Sequence, residues 1–185
     1  TTYESVSETE YDDVGRTLAS IRRDSSGTIL AKSTYVYDDN GRVVSTTRVE
    51  DLSDDSGPTT RYAYDSRGRR VLTTLPDGTI TTSNYDGVGR LTQAIDQLGI
   101  QTAYTYDPTG NLTQIVQAAN TPDALTTSHV YDLLGRRTET TDPSGGTTTF
   151  VYDDLSRVVQ VEDDMGYSTT TEYDLAYWPL TSCFI

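Results

Sequence analysis

A tyrosine followed by an aspartate recurs eight times along this chain, at nearly regular intervals. The eight tyrosines are Tyr11, Tyr37, Tyr64, Tyr85, Tyr106, Tyr131, Tyr152 and Tyr173. The steps between them are 26, 27, 21, 21, 25, 21 and 21 residues. A period of this length indicates an array of similar small units, each of which depends on its neighbours for stability. Any fold of this chain must therefore repeat.

Most pairs begin a motif of the form Tyr-Asp-x-x-Gly-Arg, such as YDDVGR from Tyr11. In a type I turn, aspartate at the first position accepts a hydrogen bond from the backbone two residues later, and glycine at the fourth takes a positive φ. The arginine then faces the aspartate across a hairpin, so we expect ion pairs such as Asp12 with Arg16. The predicted turn residues are Tyr11, Asp12, Gly15, Arg16, Tyr37, Asp38, Gly41, Arg42, Tyr64, Asp65, Gly68, Arg69, Tyr85, Asp86, Gly89, Arg90, Tyr106, Asp107, Gly110, Tyr131, Asp132, Gly135, Arg136, Tyr152 and Asp153.

Two copies lack the glycine of this motif. In the copy from Tyr152, the glycine position holds Ser156, which takes a positive φ less readily, so we expect a looser turn. The copy from Tyr173 reads YDLAYWPL and lacks both the glycine and the arginine. We therefore expect one continuous repeat domain over residues 1–174 and a divergent C-terminal end over residues 175–185.

A second turn with aspartate and glycine follows the first by roughly ten residues, as in LPDG from Leu75 and DPSG from Asp142. The segments between turns are short and rich in threonine, aromatic and β-branched residues, which favour strands. Two strands in each repeat predict an all-β antiparallel meander of about 16 short strands. Because open twisted sheets rarely exceed about ten strands, we expect this sheet to curl into a spiral or shell.

Aromatic residues recur at alternate positions before each turn. The pairs are Tyr35 with Tyr37, Tyr62 with Tyr64, Tyr104 with Tyr106, and Phe150 with Tyr152. Alternate residues of a strand share a face, so these side chains form an aromatic stripe. The chain has 14 Tyr against 2 Phe, and tyrosine keeps its hydroxyl in water or in a hydrogen bond. This composition predicts a thin sheet with one wet face, without a thick apolar core.

Charge and composition limit the classes of partner. A net charge of -14 argues against nucleic-acid binding, which needs a basic surface. No stretch approaches the roughly 20 apolar residues of a membrane-spanning helix. A single cysteine among many threonines, tyrosines and aspartates favours an extracellular or cell-surface protein of bacterial origin.

The sequence predicts no catalytic residue, no metal site and no cofactor. The single histidine, His129, stands two residues before Tyr131, where other copies place an aromatic side chain, so we interpret it as a packing residue. Paired aspartates such as Asp153 and Asp154 recur with the turn period, which a catalytic pair has no reason to do. Calcium is the alternative, since acidic turns offer oxygen ligands, but neither the EF-hand spacing nor a GGxGxD repeat is present.

The YDxxGR motif, its period of about 21 residues and the second DxxG turn resemble the YD repeats of Rhs proteins. Such repeats also occur in bacterial wall-associated proteins, insecticidal toxin complexes and animal teneurins, and the resemblance covers about Thr9 to Asp174. It implies a long sheet that spirals into a hollow shell, which in bacterial members encloses a C-terminal toxin. Rhs shells end in a DPxGL stretch where the toxin is released. The DPSG of Asp142 resembles its first half but lies within the array, as a turn.

Three functional hypotheses follow. The first is a non-enzymatic structural segment of a YD-repeat shell that encloses toxin cargo. The second is a carbohydrate-binding or adhesion module, in which Tyr62, Tyr64, Tyr104 and Tyr106 stack on sugar rings. The third is a cell-surface fibre, in which open sheet edges pair with another copy or with a continuation of the array.

Overall fold

Short antiparallel strands joined by tight turns make up the fold in a computed structural model, which describes residues 5–173 and 179–180. The chain forms two compact units, one of Thr1–Asn84 with Ile95–Gly99 and the other of Tyr85–Ala94 with Ile100–Ile185. Within the described ranges, no helix is suited to crossing a membrane. Apart from the backbone of residues 179 and 180, the predicted divergent end lies outside the described residues.

The strands follow the turn motifs closely. The first seven are β1 (Val6–Tyr11), β2 (Thr17–Arg23), β3 (Ile29–Tyr37), β4 (Val43–Val49), β5 (Thr59–Tyr64), β6 (Arg70–Thr74) and β7 (Ile80–Tyr85). The next eight are β8 (Leu91–Ile95), β9 (Gln101–Tyr106), β10 (Leu112–Gln117), β11 (Leu125–Tyr131), β12 (Arg137–Thr141), β13 (Thr147–Tyr152), β14 (Val158–Asp163) and β15 (Ser168–Thr170). Two short strands, β16 (Glu172–Tyr173) and β17 (Pro179–Leu180), pair with each other.

Consecutive strands pair antiparallel, from β1 to β7 in the first unit and from β9 to β15 in the second. Within each unit, the spatial order of the strands therefore follows the chain. The prediction of an all-β antiparallel meander with about 16 strands is confirmed, since 17 strands lie in the described part of the chain. The curling of the sheet and the single repeat domain remain predictions.

The first turn shows how each Tyr-Asp motif reverses the chain. The Gly15 amide donates to the carbonyl of Asp12 at 3.0 Å, and the Asp12 amide donates to the carbonyl of Arg16 at 2.9 Å. The Asp12 carboxylate accepts the amides of Val14 at 3.0 Å and Arg16 at 2.8 Å. Gly15 has φ 84°, and the strand register shifts at Tyr11. The hydrogen bonds of Asp12 thus fix the backbone of the whole turn, up to Arg16.

Very little of the described chain is buried away from solvent. Only Ala19 and Ile21 qualify, with 2% and 3% of their surfaces exposed, and they lie on the same face of β2. Most other strand residues are half-buried, in keeping with the sheet that the high tyrosine content predicts. Because apolar burial contributes roughly in proportion to area, this fold depends more than usual on polar links between its strands.

The two longest interruptions of the pattern fall at second turns. Between β4 and β5, Asp51 and Ser56 form an isolated bridge, and Lys32 donates to both carboxylate oxygens of Asp55 at 2.7 Å. Between β10 and β11, Ala118 takes φ 52°. Both insertions therefore extend hairpin connections and leave the Tyr-Asp turns unchanged.

Replacing Ser156 with glycine is expected to raise the free energy of unfolding by about 0.5–1 kcal/mol. Ser156 has φ 63°, where a side chain is strained and glycine is not. Urea unfolding followed by circular dichroism measures the change. Ser144→Gly is the matched control, because it removes the hydroxyl that donates to Asp142 at 2.6 Å and is expected to destabilise. Equal or lower stability of Ser156→Gly relative to wild type would contradict the strain argument.

Candidate functional site

An ion pair lies inside most Tyr-Asp turns. In the turn from Asp86, the guanidinium Nε of Arg90 donates to the carboxylate Oδ2 at 2.7 Å, and the Arg90 amide donates to Oδ1 at 2.9 Å. Both bonds lower the pKa of Asp86, from 3.8 to about 2, and the bond from the Arg90 amide has the larger effect. The equivalent pairs are Asp12 with Arg16, Asp38 with Arg42, Asp65 with Arg69, Asp132 with Arg136, and Asp153 with Arg157. Their N to O distances are 2.6–2.7 Å.

Most of these paired arginines also cover the tyrosine ring of the next repeat. The guanidinium carbon of Arg90 lies 4.7 Å from the ring centre of Tyr106, the geometry of a cation–π contact. The other contacts are Arg16 with Tyr37, Arg42 with Tyr64, Arg136 with Tyr152, and Arg157 with Tyr173, at 4.4–4.8 Å. Such a contact at an exposed site contributes about 0.5–1 kcal/mol.

The same arginine and tyrosine bond to the backbone of the neighbouring repeat. The Tyr106 hydroxyl donates to the carbonyl of Leu91 at 2.9 Å, and Nη1 of Arg90 donates to the carbonyl of Asp107 at 3.1 Å. We call one arginine with its own aspartate and the following tyrosine a rung, and the series of rungs the Asp-Arg-Tyr ladder. Other tyrosine hydroxyls that donate to the preceding repeat are those of Tyr37, Tyr64, Tyr131, Tyr152 and Tyr173.

One rung is incomplete, because the copy from Tyr106 ends in Asn111. Asn111 Nδ2 donates to Asp107 Oδ2 at 2.9 Å and lies 3.0 Å from the Thr109 hydroxyl. The Tyr131 hydroxyl keeps its bond to the backbone, at 2.9 Å from the carbonyl of Leu112. Among the described residues, no cation pairs with Asp107 and none covers the Tyr131 ring. A groove of about 460 Å³ opens here, and we call it the Asn111 gap.

The four tyrosines predicted to stack on sugars are all half-buried. Arg42 covers one face of Tyr64 at 4.8 Å, Arg90 covers one face of Tyr106, and Arg70 lies 5.4 Å from the ring centre of Tyr62. Tyr104 lies opposite Ile115 on the neighbouring strand. A sugar would therefore have to use the other ring faces or displace arginine, and carbohydrate binding stays a prediction.

His129 lies within the sheet, opposite Thr140, and its Nδ1 is 3.1 Å from the threonine hydroxyl. Partial burial, and then the charge of Arg137, lower the pKa of His129. The side chain is therefore neutral at pH 7, as a packing residue would be. In the residues that the structure describes, no three His, Cys, Asp or Glu side chains are grouped in a way that could hold a metal ion.

A family model described as RHS Repeat matches residues 47–80, 85–122 and 131–164, together more than half of the chain. The chain belongs to the RHS repeat family. Each matched span contains at least one Tyr-Asp turn, so the family match and most of the Asp-Arg-Tyr ladder fall in the same parts of the chain. A comparison with curated protein sequences found no match.

Solved structures with this RHS repeat fold include a TcdB2-TccC3-Cdc42 crystal structure, at 14% identity and a TM-score of 0.52. That alignment covers 94% of this chain and 12% of the other. A Photorhabdus luminescens Tc holotoxin pore structure aligns at 14% identity and a TM-score of 0.50, covering 92% of this chain and 12% of that one. At these identities the likeness shows a shared fold, and the RHS repeat chain spans a small part of the matched chains.

Replacing Tyr106 with phenylalanine is expected to lower the free energy of unfolding by about 0.5–1.5 kcal/mol, because the carbonyl of Leu91 loses its donor. Urea unfolding measures this loss. Tyr167→Phe is the control, since Tyr167 is 73% exposed and the structure shows no bond from its hydroxyl. If both variants unfold at the wild-type urea concentration, the hydroxyl bond contributes nothing to the link between repeats.

Proposed function

We propose that this chain is a wall segment of a longer RHS repeat shell. In this proposal it is a non-enzymatic structural part of a secreted bacterial toxin complex, and the complete shell encloses toxin cargo. The Asp-Arg-Tyr ladder is the observation that carries the proposal. Most of its arginines bind their own aspartate and the next tyrosine ring, and some also donate to the next backbone, as Arg90 does with Asp86, Tyr106 and Asp107.

These side-chain contacts favour a structural role in a shell wall over a catalytic role. A catalytic or ligand-binding group needs a free functional atom, whereas the acidic, basic and phenolic groups of each rung bond mainly to one another and to backbone. Repetition is what a wall requires, because each repeat must cover the edge of the one before it. The structural neighbours named above as Tc toxin proteins support the same assignment at the level of fold.

Continuation of the array through its edges is part of the proposal. Strand β1 pairs with β2, and all six of its residues are exposed. All three residues of β15 are exposed as well. An exposed strand at the margin of a sheet offers backbone donors and acceptors to a further strand. A longer RHS repeat chain would supply that strand itself, whereas a fibre would take it from a second copy.

Electron microscopy of the purified chain tests the proposal. A wall segment is expected to give discrete thin or curved particles. Thr9→Lys adds a charge to exposed β1 and should block edge pairing, while Ser20→Lys makes the matched change on the internal strand β2. Discrete particles in all three proteins support the wall segment. Long wild-type filaments that disappear in Thr9→Lys alone would overturn it in favour of a fibre.

A further inference from the structure

The Asn111 gap has the same surroundings as an occupied rung. In the preceding rung, the guanidinium of Arg90 lies against four groups: the Asp86 carboxylate, the Tyr106 ring, the carbonyl of Asp107 and the glycine of that next turn. Its Nη1 is 3.9 Å from the point where a Cβ would stand on Gly110. The backbone and side chains of that rung thus form a binding site for a planar cation.

The four corresponding groups are present at the gap. They are the carboxylate of Asp107, the ring of Tyr131, the carbonyl of Asp132 and the backbone of Gly135, and all four residues line the groove. Gly135 has φ 77°, and Asn111 Oδ1 lies 3.6 Å from the point where its Cβ would stand. Asn111 therefore points where an arginine would, but it is shorter and neutral.

The Asn111 gap carries the negative charge expected of a rung that lacks its arginine. Asp107 has no ion-pair partner in the described ranges, although its turn hydrogen bonds are complete. Those hydrogen bonds lower the pKa of Asp107 to about 2, and the bond from the Thr109 hydroxyl has the largest effect. Asp107 is therefore fully ionised at neutral pH, and its negative charge faces a groove without a cation.

The rim of the groove favours a side chain that comes from a polypeptide. Leu133 and Leu134 line the groove and are 106% and 75% exposed. Arginine combines a guanidinium head with an apolar stem that packs on such surfaces. A net charge of -14 also attracts a basic segment of another protein.

We propose that the Asn111 gap binds an arginine side chain supplied by another protein. The incoming guanidinium pairs with Asp107 and stacks on Tyr131, and its stem and neighbouring residues lie over Leu133 and Leu134. The incomplete rung is then a docking point for a basic partner, where the other described rungs are closed by the chain's own arginines. This proposal does not depend on whether the array forms a shell or a fibre.

Nuclear magnetic resonance titration of the isotope-labelled chain with N-acetyl-L-arginine methylamide tests the proposal. The expected result is saturable shifts confined to the amides of the two turns that flank the groove, such as those of Gly110 and Gly135. The lysine analogue should bind at least several-fold more weakly, because an ammonium cannot match a planar, stacked site. Equal affinities for the two analogues, shifts located elsewhere, or no saturation would overturn the proposal.

Two matched substitutions identify the site. Asn111→Arg supplies the guanidinium within the chain and should abolish the saturable shifts. Asn40→Arg adds the same charge at an exposed turn position in a copy that already has Arg42, and should leave binding unchanged. Urea unfolding of Asn111→Arg shows whether the protein is folded, and we expect at least wild-type stability. Wild-type affinity in folded Asn111→Arg would overturn the proposal.

Discussion

Replacing Gly89 with valine is expected to lower the free energy of unfolding by about 1–3 kcal/mol. Gly89 has φ 104°, a conformation that a β-branched residue adopts only with strain. Its amide also donates to the carbonyl of Asp86 at 3.1 Å and to its carboxylate at 2.8 Å. Strain at Gly89 would displace Arg90 and with it a rung of the ladder. Urea unfolding followed by circular dichroism gives the change.

Gly87→Val is the control for this experiment, because it lies in the same turn. Gly87 does not have a positive φ, and nothing lies within 4 Å of the position its Cβ would take. We expect a much smaller loss of stability than in Gly89→Val. Gly110→Val, at φ 102°, should repeat the large loss. Wild-type unfolding of either Gly89→Val or Gly110→Val would contradict the role of glycine in these turns.

Acid is expected to destabilise the whole array between about pH 4 and pH 2. Twelve aspartates have folded-state pKa values below the ordinary 3.8, and those of Asp86 and Asp107 fall to about 2. The unfolded chain therefore takes up protons first, so the stabilisation is complete above about pH 4 and is lost as the pH falls through the folded values. The aspartates with lowered pKa are Asp12, Asp24, Asp38, Asp51, Asp54, Asp65, Asp77, Asp86, Asp107, Asp132, Asp142 and Asp153.

Urea midpoints measured from pH 6 to pH 2 show this loss. High salt is needed, because acid also reduces the repulsion that comes from a net charge of -14, and this effect acts in the opposite direction. Asp38→Asn removes a carboxylate bonded to Arg42 and should flatten the pH dependence, whereas Asp39→Asn changes the exposed neighbour in the same turn. The linkage would be refuted if the urea midpoint did not decrease as the pH is lowered from 4 to 2. It would also be refuted if both variants flattened the pH dependence of the midpoint equally.

Turn chemistry was the part of this fold that local sequence could predict. Aspartate, glycine and arginine in YDDVGR each act within a few residues, so spacing alone indicates the turn and the pair of Asp12 with Arg16. The strand pairing follows, because turns at short intervals leave a chain no other regular arrangement than a meander. Ser156 shows the same dependence on local structure, as it takes a positive φ where six of the other motifs have glycine.

The links between repeats were not predicted from the sequence. The pattern predicts an aromatic stripe and an ion pair separately, but it does not show that Arg90 covers Tyr106 or that Tyr106 donates to Leu91. These contacts depend on how neighbouring hairpins are placed beside each other, which no single turn specifies. The joint occurrence of Tyr and Arg in nearly every motif was the available signal. The Asn111 gap could be recognised only once the structure showed that the arginine of a complete motif also contacts the tyrosine of the next repeat.

The placement of the longer connections determines where such chains can accept inserted residues. In a meander, alternate connections lie at opposite margins of the sheet, and the extended connections around Asp55 and Ala118 are not Tyr-Asp turns. Within each unit, the margin that holds the Tyr-Asp turns therefore keeps the spacing that the ladder requires, while residues are inserted at the other margin without altering any rung. Insertions are thereby tolerated at the margin opposite the Tyr-Asp turns of each unit, where a new loop can acquire contacts with its surroundings at little cost to the stability of the sheet.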